Sequence, residues 1–346
     1  MKGKEEMKKI LALVLAMVLI LSLVACTGAP KGNDTAKTFA IITKSAGNPY
    51  NEREASGFKE AVEAAGYTAI VKHPTEITAE AQITLINELV AQEVDGIAIA
   101  GNDLDALQTA LNEAMKAGIA TICLDSKVNA ESRQTFVNQA GVSQVAQQLM
   151  DAVLDLTGGE GQWAILSATS TATNQNAWID AMGVIAGDAK YSGLDLVETA
   201  YGDDMYQKSI DETLALLAKY PALKVICAPT TVGIAAASKV VKDEGLEGKV
   251  IITGLGLPSE MAEYIVEGGP CPYMFLWNPI EVGACAAYTL IAIEKGEITG
   301  ALGDKFTAAN GVSYEVVDAG DGGTEVIVGP PFGFTIENIA DWKTVY

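Results

Sequence analysis

The chain has 346 residues, enough for two domains that each bury a hydrophobic core. Its hydrophobic content of 49% is typical of a folded globular protein and not of a disordered one. The formal net charge of −21 would repel the phosphates of nucleic acid, so DNA and RNA are not expected as partners. The same charge disfavours direct binding to anionic lipid head groups.

The first 25 residues have the features of an export signal. Several lysines make the start basic, and residues 10–24 form an apolar run interrupted only by Ser22. A transmembrane helix is the alternative, but this run is shorter than the ~20 residues that span a bilayer. Cys26 directly follows Ala25, so the end of the segment resembles a bacterial lipoprotein signal. That resemblance implies cleavage before Cys26 and lipidation of its thiol, with residues 26–37 as a flexible tether.

From residue 38, strand and helix patterns alternate along the chain. Short apolar runs predict strands, and apolar residues at helical spacing predict the segments between them as helices. The first predicted strands are 38–43, 69–72, 96–100 and 120–124, and the helices between them are 52–65, 79–93 and 104–117. This order predicts a parallel sheet with helices on both faces.

The same order then repeats. A strand at 134–138 and a helix at 142–156 lead to strands at 163–166, 195–201, 225–228 and 250–253, with helices at 177–186, 206–219 and 232–244. A strand at 273–277, a helix at 280–295, a hairpin at 312–328 and a tail at 332–346 complete the chain. Two successive units predict an α/β fold with two doubly wound parallel-sheet lobes.

Residues 164–182 carry the densest group of hydroxyl and amide side chains in the chain. This stretch leaves an apolar strand, passes through Ser, Thr, Asn and Gln residues, and enters a helix. Open α/β sheets bind ligands at the carboxyl ends of their strands, and these side chains both donate and accept hydrogen bonds, which suits a polyol. An ordinary loop with a Thr or Asn helix cap explains the stretch about equally well.

Further polar and aromatic residues follow the other predicted strands. An acid, a lysine, amides and aromatic rings are the groups that bind a pyranose sugar, through hydrogen bonds to hydroxyls and stacking on C–H faces. Each has an alternative: Asp125 could cap the turn to Lys127, and Tyr50 or Trp277 could be core residues. The candidate ligand-binding residues are Lys44, Asn48, Tyr50, Asp125, Asn174, Gln175, Pro229, Thr230, Thr231, Trp277 and Asn278.

Catalytic motifs are scarce. The one histidine, His73, is interpreted as a turn residue, and Ser259 occupies the place of the third glycine that a dinucleotide-binding fingerprint needs. Asp203 and Asp204 could form a metal pair, but a helix cap at Asp204, with Gln207 three residues later, fits better. We therefore predict that the protein is not an enzyme and has no cofactor and no metal site.

Four cysteines follow Cys26, at positions 123, 227, 271 and 285. Their spacing matches no metal motif and no compact disulfide framework. Cys123 and Cys227 lie inside apolar strands, where buried free thiols are expected.

Four features taken in order resemble a type I periplasmic sugar-binding protein of an ABC importer. They are the lipoprotein-type signal, Lys44-Ser-Ala-Gly-Asn-Pro-Tyr50, Leu124-Asp-Ser126 and Trp277-Asn-Pro279. The resemblance covers essentially the whole mature chain. Within the family, segments 167–182, 201–204, 228–233 and 253–261 are most similar to rhamnose-binding proteins.

The resemblance implies a periplasmic binding protein-like I fold with two lobes joined by a three-strand hinge. The N-terminal lobe would comprise 38–138 with 277–305, and the C-terminal lobe 139–276 with 306–346. A small sugar, L-rhamnose foremost, would bind in the interlobe cleft by hinge closure. The protein would be an exported monomer, anchored to the outer face of the cell membrane by its lipid alone, that delivers sugar to the permease and ATPase subunits of the importer.

Autoinducer-2 receptors are a sister group and give the alternative ligand. Their ligand residues would fall on Lys44, Asp125, Asn174, Gln175, Pro229 and Thr231. Position 174 in those receptors is typically Asp and position 231 a small Ala, so Asn174 and Thr231 depart from their pattern, while the other four fit. Losing a carboxylate at 174 weakens the case for autoinducer-2 but does not exclude it, because the Asn carbonyl can still accept a hydrogen bond.

Overall fold

The computed structural model describes residues 37–346, so the predicted signal peptide, Cys26 and nearly all of the tether lie outside the described residues. Its first part contains β1 (Thr38–Ile42), α1 (Pro49–Ala64), β2 (Thr68–Lys72), α2 (Ala79–Ala91), β3 (Gly96–Ile99), α3 (Gln108–Lys116), β4 (Ala120–Leu124) and β5 (Phe136–Asn138). Then follow α4 (Val142–Thr157), β6 (Gly161–Ser167), α5 (Thr173–Ile185), β7 (Leu194–Tyr201), α6 (Tyr206–Lys219), β8 (Leu223–Ala228), α7 (Thr231–Asp243) and β9 (Ile251–Gly254). The last elements are α8 (Pro258–Met261), β10 (Tyr273–Leu276), α9 (Pro279–Glu294), β11 (Lys305–Thr307), β12 (Ser313–Glu315), β13 (Val317–Asp318), β14 (Thr324–Ile327), β15 (Phe332–Thr335) and α10 (Ile339–Trp342).

Two parallel sheets form the framework. The first has the order β13-β14-β5-β4-β3-β1-β2 and is parallel except for β13, which runs antiparallel to β14. The second has the order β7-β6-β8-β9 and is parallel throughout. Strands such as β3 and β4 are buried along their whole length, because helices cover both faces, and so they appear in the sequence as continuous apolar runs. The predicted fold class is confirmed.

The position of β13 and β14 differs from the predicted lobe assignment. The sequence places residues 306–346 with the second lobe, yet β14 pairs in parallel with β5 at the edge of the first sheet. From there the chain reaches β15, which pairs with β10. Backbone hydrogen bonding to β5 is the reason that β13 and β14 lie with the first sheet. The other lobe boundaries and the three-strand hinge stay predictions.

Helices α1 and α9 pack closely and begin in the same way. Asn48 caps α1 by accepting from the amides of Tyr50 and Asn51, and Asn278 caps α9 by accepting from the amide of Ile280. A proline follows each cap, where its missing N–H costs nothing. The cap at Asn48 explains why α1 begins at residue 49, three residues before the predicted start.

Two other helix starts differ from the predicted ones. α3 begins at Gln108 instead of 104, because the Asp103 carboxylate accepts from the amides of residues 105 and 106 and holds them in a turn. α5 begins at Thr173 instead of 177, and its cap residue, Ala172, makes no side-chain bond. No residue type in the sequence therefore marks where α5 begins. Among residues 37–346, no helix is long and apolar enough to cross a bilayer.

Candidate functional site

A cavity lies among the carboxyl ends of strands from both parallel sheets. Its volume is about 40 Å³. It is lined by Lys44, Asn48, Tyr50, Asn51, Asp125, Asn174, Gln175, Trp178, Asp204, Pro229, Thr230, Thr231, Leu255, Leu276 and Trp277.

Every predicted ligand-binding residue except Asn278 lines this cavity. Asn278 is the cap of α9 instead, and its side chain accepts from the amide of Ile280 at 3.0 Å. Trp178 lies one helical turn after Asn174, so helical spacing could have identified it. The remaining lining residues that the sequence analysis missed are Asn51, Asp204, Leu255 and Leu276.

The Asp125 carboxylate is the centre of the polar network. Its Oδ1 accepts from the hydroxyl of Tyr50 and the amide of Gln139, both at 3.2 Å. Its Oδ2 accepts from the hydroxyl of Ser126 at 3.2 Å and the amide of Asn174 at 3.1 Å. Asp125 also has a left-handed φ of 56°, a conformation that is uncommon outside glycine and concentrates at functional sites. These bonds fix the carboxylate in one orientation.

Lys44 and Asn174 connect the two sides of the cavity. Lys44 follows β1 of the first sheet, and its Nζ lies 3.5 Å from Asp125 Oδ2. The same ammonium donates to Oδ1 of Asn174, in α5 beside the second sheet, at 3.1 Å. Lys44 and Asp125 are both buried, so their attraction is screened less than at the surface. The Asn174 carboxamide therefore contacts both charges from the opposite side.

Gln175 presents its amide group to the cavity. Its Oε1 accepts from the Ser167 hydroxyl at 2.8 Å and from the Ala168 amide at 2.7 Å. The carbonyl end of the side chain is thus held by the end of β6. Its amide hydrogens remain as donors for a ligand.

Three aromatic side chains form an apolar wall. Tyr50, Trp178 and Trp277 are all buried, and the rings of Trp178 and Trp277 lie 5.6 Å apart between centroids. Trp277 Nε1 donates to the Tyr50 hydroxyl at 2.7 Å, and that hydroxyl donates to Asp125. The rings therefore serve as core residues and as the cavity wall at once, and they could pack against the C–H face of a sugar.

Burial shifts several pKa values around the cavity. Burial, with the negative charge of Asp125 next in importance, raises the pKa of Glu54 well above its usual range. Both carboxyl oxygens of Glu54 are buried without a hydrogen-bond partner among the described residues. Burial likewise raises the pKa of Tyr50 well above 10 and raises that of Asp204. Glu54 is therefore favoured in its neutral, protonated form.

The predicted helix cap at Asp204 is wrong. Met205 is the cap residue of α6 and makes no side-chain bond, while the Asp203 carboxylate pairs with Lys208. Asp203 and Asp204 both have left-handed φ values, 55° and 51°. This sharp turn directs the chain from β7 into α6 and makes Asp204 part of the cavity wall.

His73 and the cysteines of residues 37–346 lie outside the cavity lining. Across residues 37–346, no group of His, Cys, Asp and Glu is arranged to hold a metal ion. His73, which directly follows β2, shares a hydrogen bond of 2.8 Å with the Thr43 hydroxyl. Cys123, Cys227 and the two later cysteines are free and buried, as predicted for the first two. Burial raises the pKa of the Cys227 thiol to about 12, which makes it a poor nucleophile.

A wider cleft borders the cavity. Its lining includes the turn after β1, the turn after β2 and the turn between β7 and α6. Asn48 and Asp204 line both the cavity and this outer cleft, so they form the boundary between the two.

A family model described as "periplasmic binding protein domain" matches residues 39–298. A solved structure of an ABC transporter solute-binding protein from Clostridium phytofermentas, with bound L-rhamnose, is 57% identical. The match covers 90% of this chain and 99% of that one, with a TM-score of 0.89.

Two further proteins are more distantly similar. The D-allose-binding periplasmic protein of Escherichia coli is 26% identical over 271 residues, 75% of this chain and 85% of that protein. LsrB from Clostridium saccharobutylicum, solved with AI-2, is 22% identical with a TM-score of 0.82, over 88% of this chain and 99% of that one. At 22% identity, the similarity to LsrB concerns the fold alone.

Proposed function

The chain belongs to the periplasmic binding protein family, and from that premise we propose that it is the sugar-binding subunit of an ABC importer with L-rhamnose as its ligand. The observation that carries the proposal is the cavity, where Lys44 and Asp125 face Asn174 and Gln175 beside an aromatic wall. The rhamnose-bound relative, 57% identical over nearly its whole length, supports the choice of sugar. The role we propose is binding and delivery without chemical conversion.

The ligand would bind by using donors and acceptors from both sides of the cavity. Sugar hydroxyls would accept from the Lys44 ammonium and the Gln175 amide and donate to the Asp125 carboxylate. The apolar face, including the 6-methyl group of a deoxyhexose, would pack on Trp178 and Trp277. A ligand held from both sides favours the closed form through its higher affinity for that form, which the permease and ATPase partners would then recognise.

We also propose that the mature protein is a monomer held at the outer face of the cell membrane by lipid on Cys26. Support comes from the basic start, the apolar run and the position of Cys26 directly after Ala25. A diacylglyceryl group supplies two acyl chains, which stable anchoring needs, since one chain alone binds membranes only marginally.

Autoinducer-2 is the second candidate ligand. Lys44, Asp125, Gln175 and Pro229, the four positions that fit the autoinducer-2 receptors, all line the cavity. Asn174 and Thr231, the two that depart from that pattern, line it as well. Asn174 lacks the carboxylate expected for a strongly donating ligand, which favours the deoxyhexose.

Thermal unfolding with and without sugar tests the proposal. A ligand that binds only the folded protein stabilises it by about 2.7 kcal/mol at a hundredfold excess over Kd. L-Rhamnose should therefore raise the melting temperature, and D-glucose, which has a hydroxymethyl group in place of the methyl and a different configuration of its hydroxyls, should not. No shift with rhamnose would overturn the proposed ligand, and a shift with autoinducer-2 instead would favour the second candidate.

A further inference from the structure

Asp204 is the second carboxylate in the cavity wall, after Asp125. It lies at the end of the turn that leaves β7 and lines the same cavity as Lys44 and Asp125, which follow strands of the first sheet. The neighbouring acid, Asp203, has a local partner in Lys208, whereas the Asp204 side chain neither caps α6 nor forms an ion pair among the described residues. The hydrogen bond that its side chain accepts comes from Thr230, another residue of the cavity wall.

One oxygen of Asp204 is held in place by the protein. Oδ1 accepts a hydrogen bond of 2.5 Å from the Thr230 hydroxyl. The Thr230 oxygen in turn accepts from the Gly233 amide at the start of α7, at 3.5 Å, so the hydroxyl is positioned by a helix cap. Oδ2 accepts no hydrogen bond from the described residues. A fixed carboxylate thus has one oxygen available to a ligand.

Asp204 and Asn48 line both the inner cavity and the outer cleft. The Asn48 carbonyl is used as the cap of α1, which leaves its amide group as a donor. A ligand that fills the cavity consequently meets an acceptor, Asp204, and a donor, Asn48, at the edge that faces the outer cleft. An alcohol group, which both donates and accepts, matches this pair.

We propose that Asp204 binds the ligand by accepting a hydrogen bond from the hydroxyl that faces the outer cleft. The protein would thereby select sugars with a free hydroxyl at that position over sugars that are deoxygenated or alkylated there. This inference rests on the proposed function, because it requires a polyhydroxylated ligand.

Asp204→Asn is the informative variant. Asn keeps the size of the side chain and tolerates a left-handed backbone, so the turn is preserved. The Thr230 hydroxyl would hold the Asn carbonyl, which turns the amide group toward the ligand and replaces an acceptor with a donor. Calorimetric affinity for L-rhamnose should fall about tenfold or more. The matched control, Asp203→Asn, removes the acid that pairs with Lys208 and should leave the affinity for L-rhamnose unchanged.

A double-mutant cycle with monodeoxy analogues of L-rhamnose separates a direct contact from a structural effect. The analogue that lacks the hydroxyl bound by Asp204 should bind the wild type and Asp204→Asn with equal affinity, while the other analogues lose the same factor as rhamnose. The inference is overturned if Asp204→Asn binds rhamnose as tightly as the wild type. It is also overturned if the variant loses the same factor of affinity for every analogue. In both cases the proposed function stands. Failure of the wild type to bind any of these sugars overturns both.

Discussion

Asp125 has two hydrogen-bond donors on each carboxylate oxygen and the Lys44 ammonium nearby. A sugar hydroxyl that approaches Asp125 must therefore share an oxygen or replace one of the present donors. The Asn174 amide is the donor that comes from the other side of the cavity, and replacing it would keep the two sides joined through the ligand. The sequence identifies Asp125 by its place after a strand, but partners as distant as Tyr50 and Gln139 cannot be inferred from spacing.

Glu54 gives a prediction for the dependence of stability on pH. Its pKa is raised in the folded protein, so above the ordinary value of 4.5 the folded state holds a proton that the unfolded state has lost. The free energy of unfolding therefore falls as pH rises from 4.5 toward the pKa that Glu54 has in the folded protein. For this one proton the fall is at most about 1.4 kcal/mol per pH unit. Glu54→Gln replaces the titratable carboxyl with a neutral amide, so the free energy of unfolding of the variant should depend less on pH. The difference in free energy of unfolding between the variant and the wild type should therefore shift in favour of the variant as pH rises.

Denaturant unfolding of the wild type and variant across pH measures this effect. Lys44 and Asp125 are the charges that act on Glu54 from other elements, and Tyr50 is the neighbouring titratable group on α1. Glu60→Gln, at an exposed position of the same helix, is the control and should follow the wild-type curve. If Glu54→Gln gives a curve parallel to that of the wild type, Glu54 is not the proton-binding group we describe.

At the scale of elements, the contact between α1 and α9 positions the aromatic wall. A Cβ on Gly283 of α9 would lie 1.8 Å from the carbonyl oxygen of Glu54 in α1. A Cβ on Gly57 of α1 would lie 2.0 Å from the carbonyl oxygen of Ile280. The two helices can approach this closely only because both positions are glycine. Tyr50 lies in the first turn of α1 and Trp277 directly precedes Asn278, the cap of α9, so the spacing of the helices sets the spacing of these rings.

Gly283→Ala should push α1 and α9 apart. The Cβ meets backbone atoms, which cannot rotate away, so the free energy of unfolding should fall by about 1–3 kcal/mol or more, as expected for overpacking. Gly183→Ala is the control: Gly183 is an exposed residue of α5 with no atom within 4 Å of the added Cβ. There alanine should stabilise the helix by about 0.5–1 kcal/mol. Equal effects of the two changes in denaturant unfolding would contradict the tight packing of α1 on α9.

Strand and helix order could be predicted from periodicity, while the exact starts of the helices depended on local hydrogen bonds. The turn held by Asp103 and the uncapped start of α5 at Thr173 carry no repeating pattern, so both starts were misplaced. Asp204 fits a helix-cap pattern by its spacing to Gln207, yet its left-handed φ places Met205 at the cap instead.

At the scale of the whole molecule, the strand ends predicted most of the cavity. Lys44, Asp125 and Asn174 lie far apart in the sequence and meet because parallel strands end on the same edge of their sheets. The apolar lining residues Leu255 and Leu276 carry no polar signal and could not be distinguished from core residues. The return of β14 to the first sheet was also missed, because a pairing with β5 across more than half of the chain leaves no local pattern.

Calorimetric titration of the purified mature protein with L-rhamnose and with autoinducer-2 tests the central claim, the identity of the ligand, most directly. We expect L-rhamnose to bind at one site per chain and more tightly than autoinducer-2, since Asn174 replaces the carboxylate that the autoinducer-2 receptors carry. Tighter binding of autoinducer-2, or no heat of binding with L-rhamnose, would contradict the proposed function.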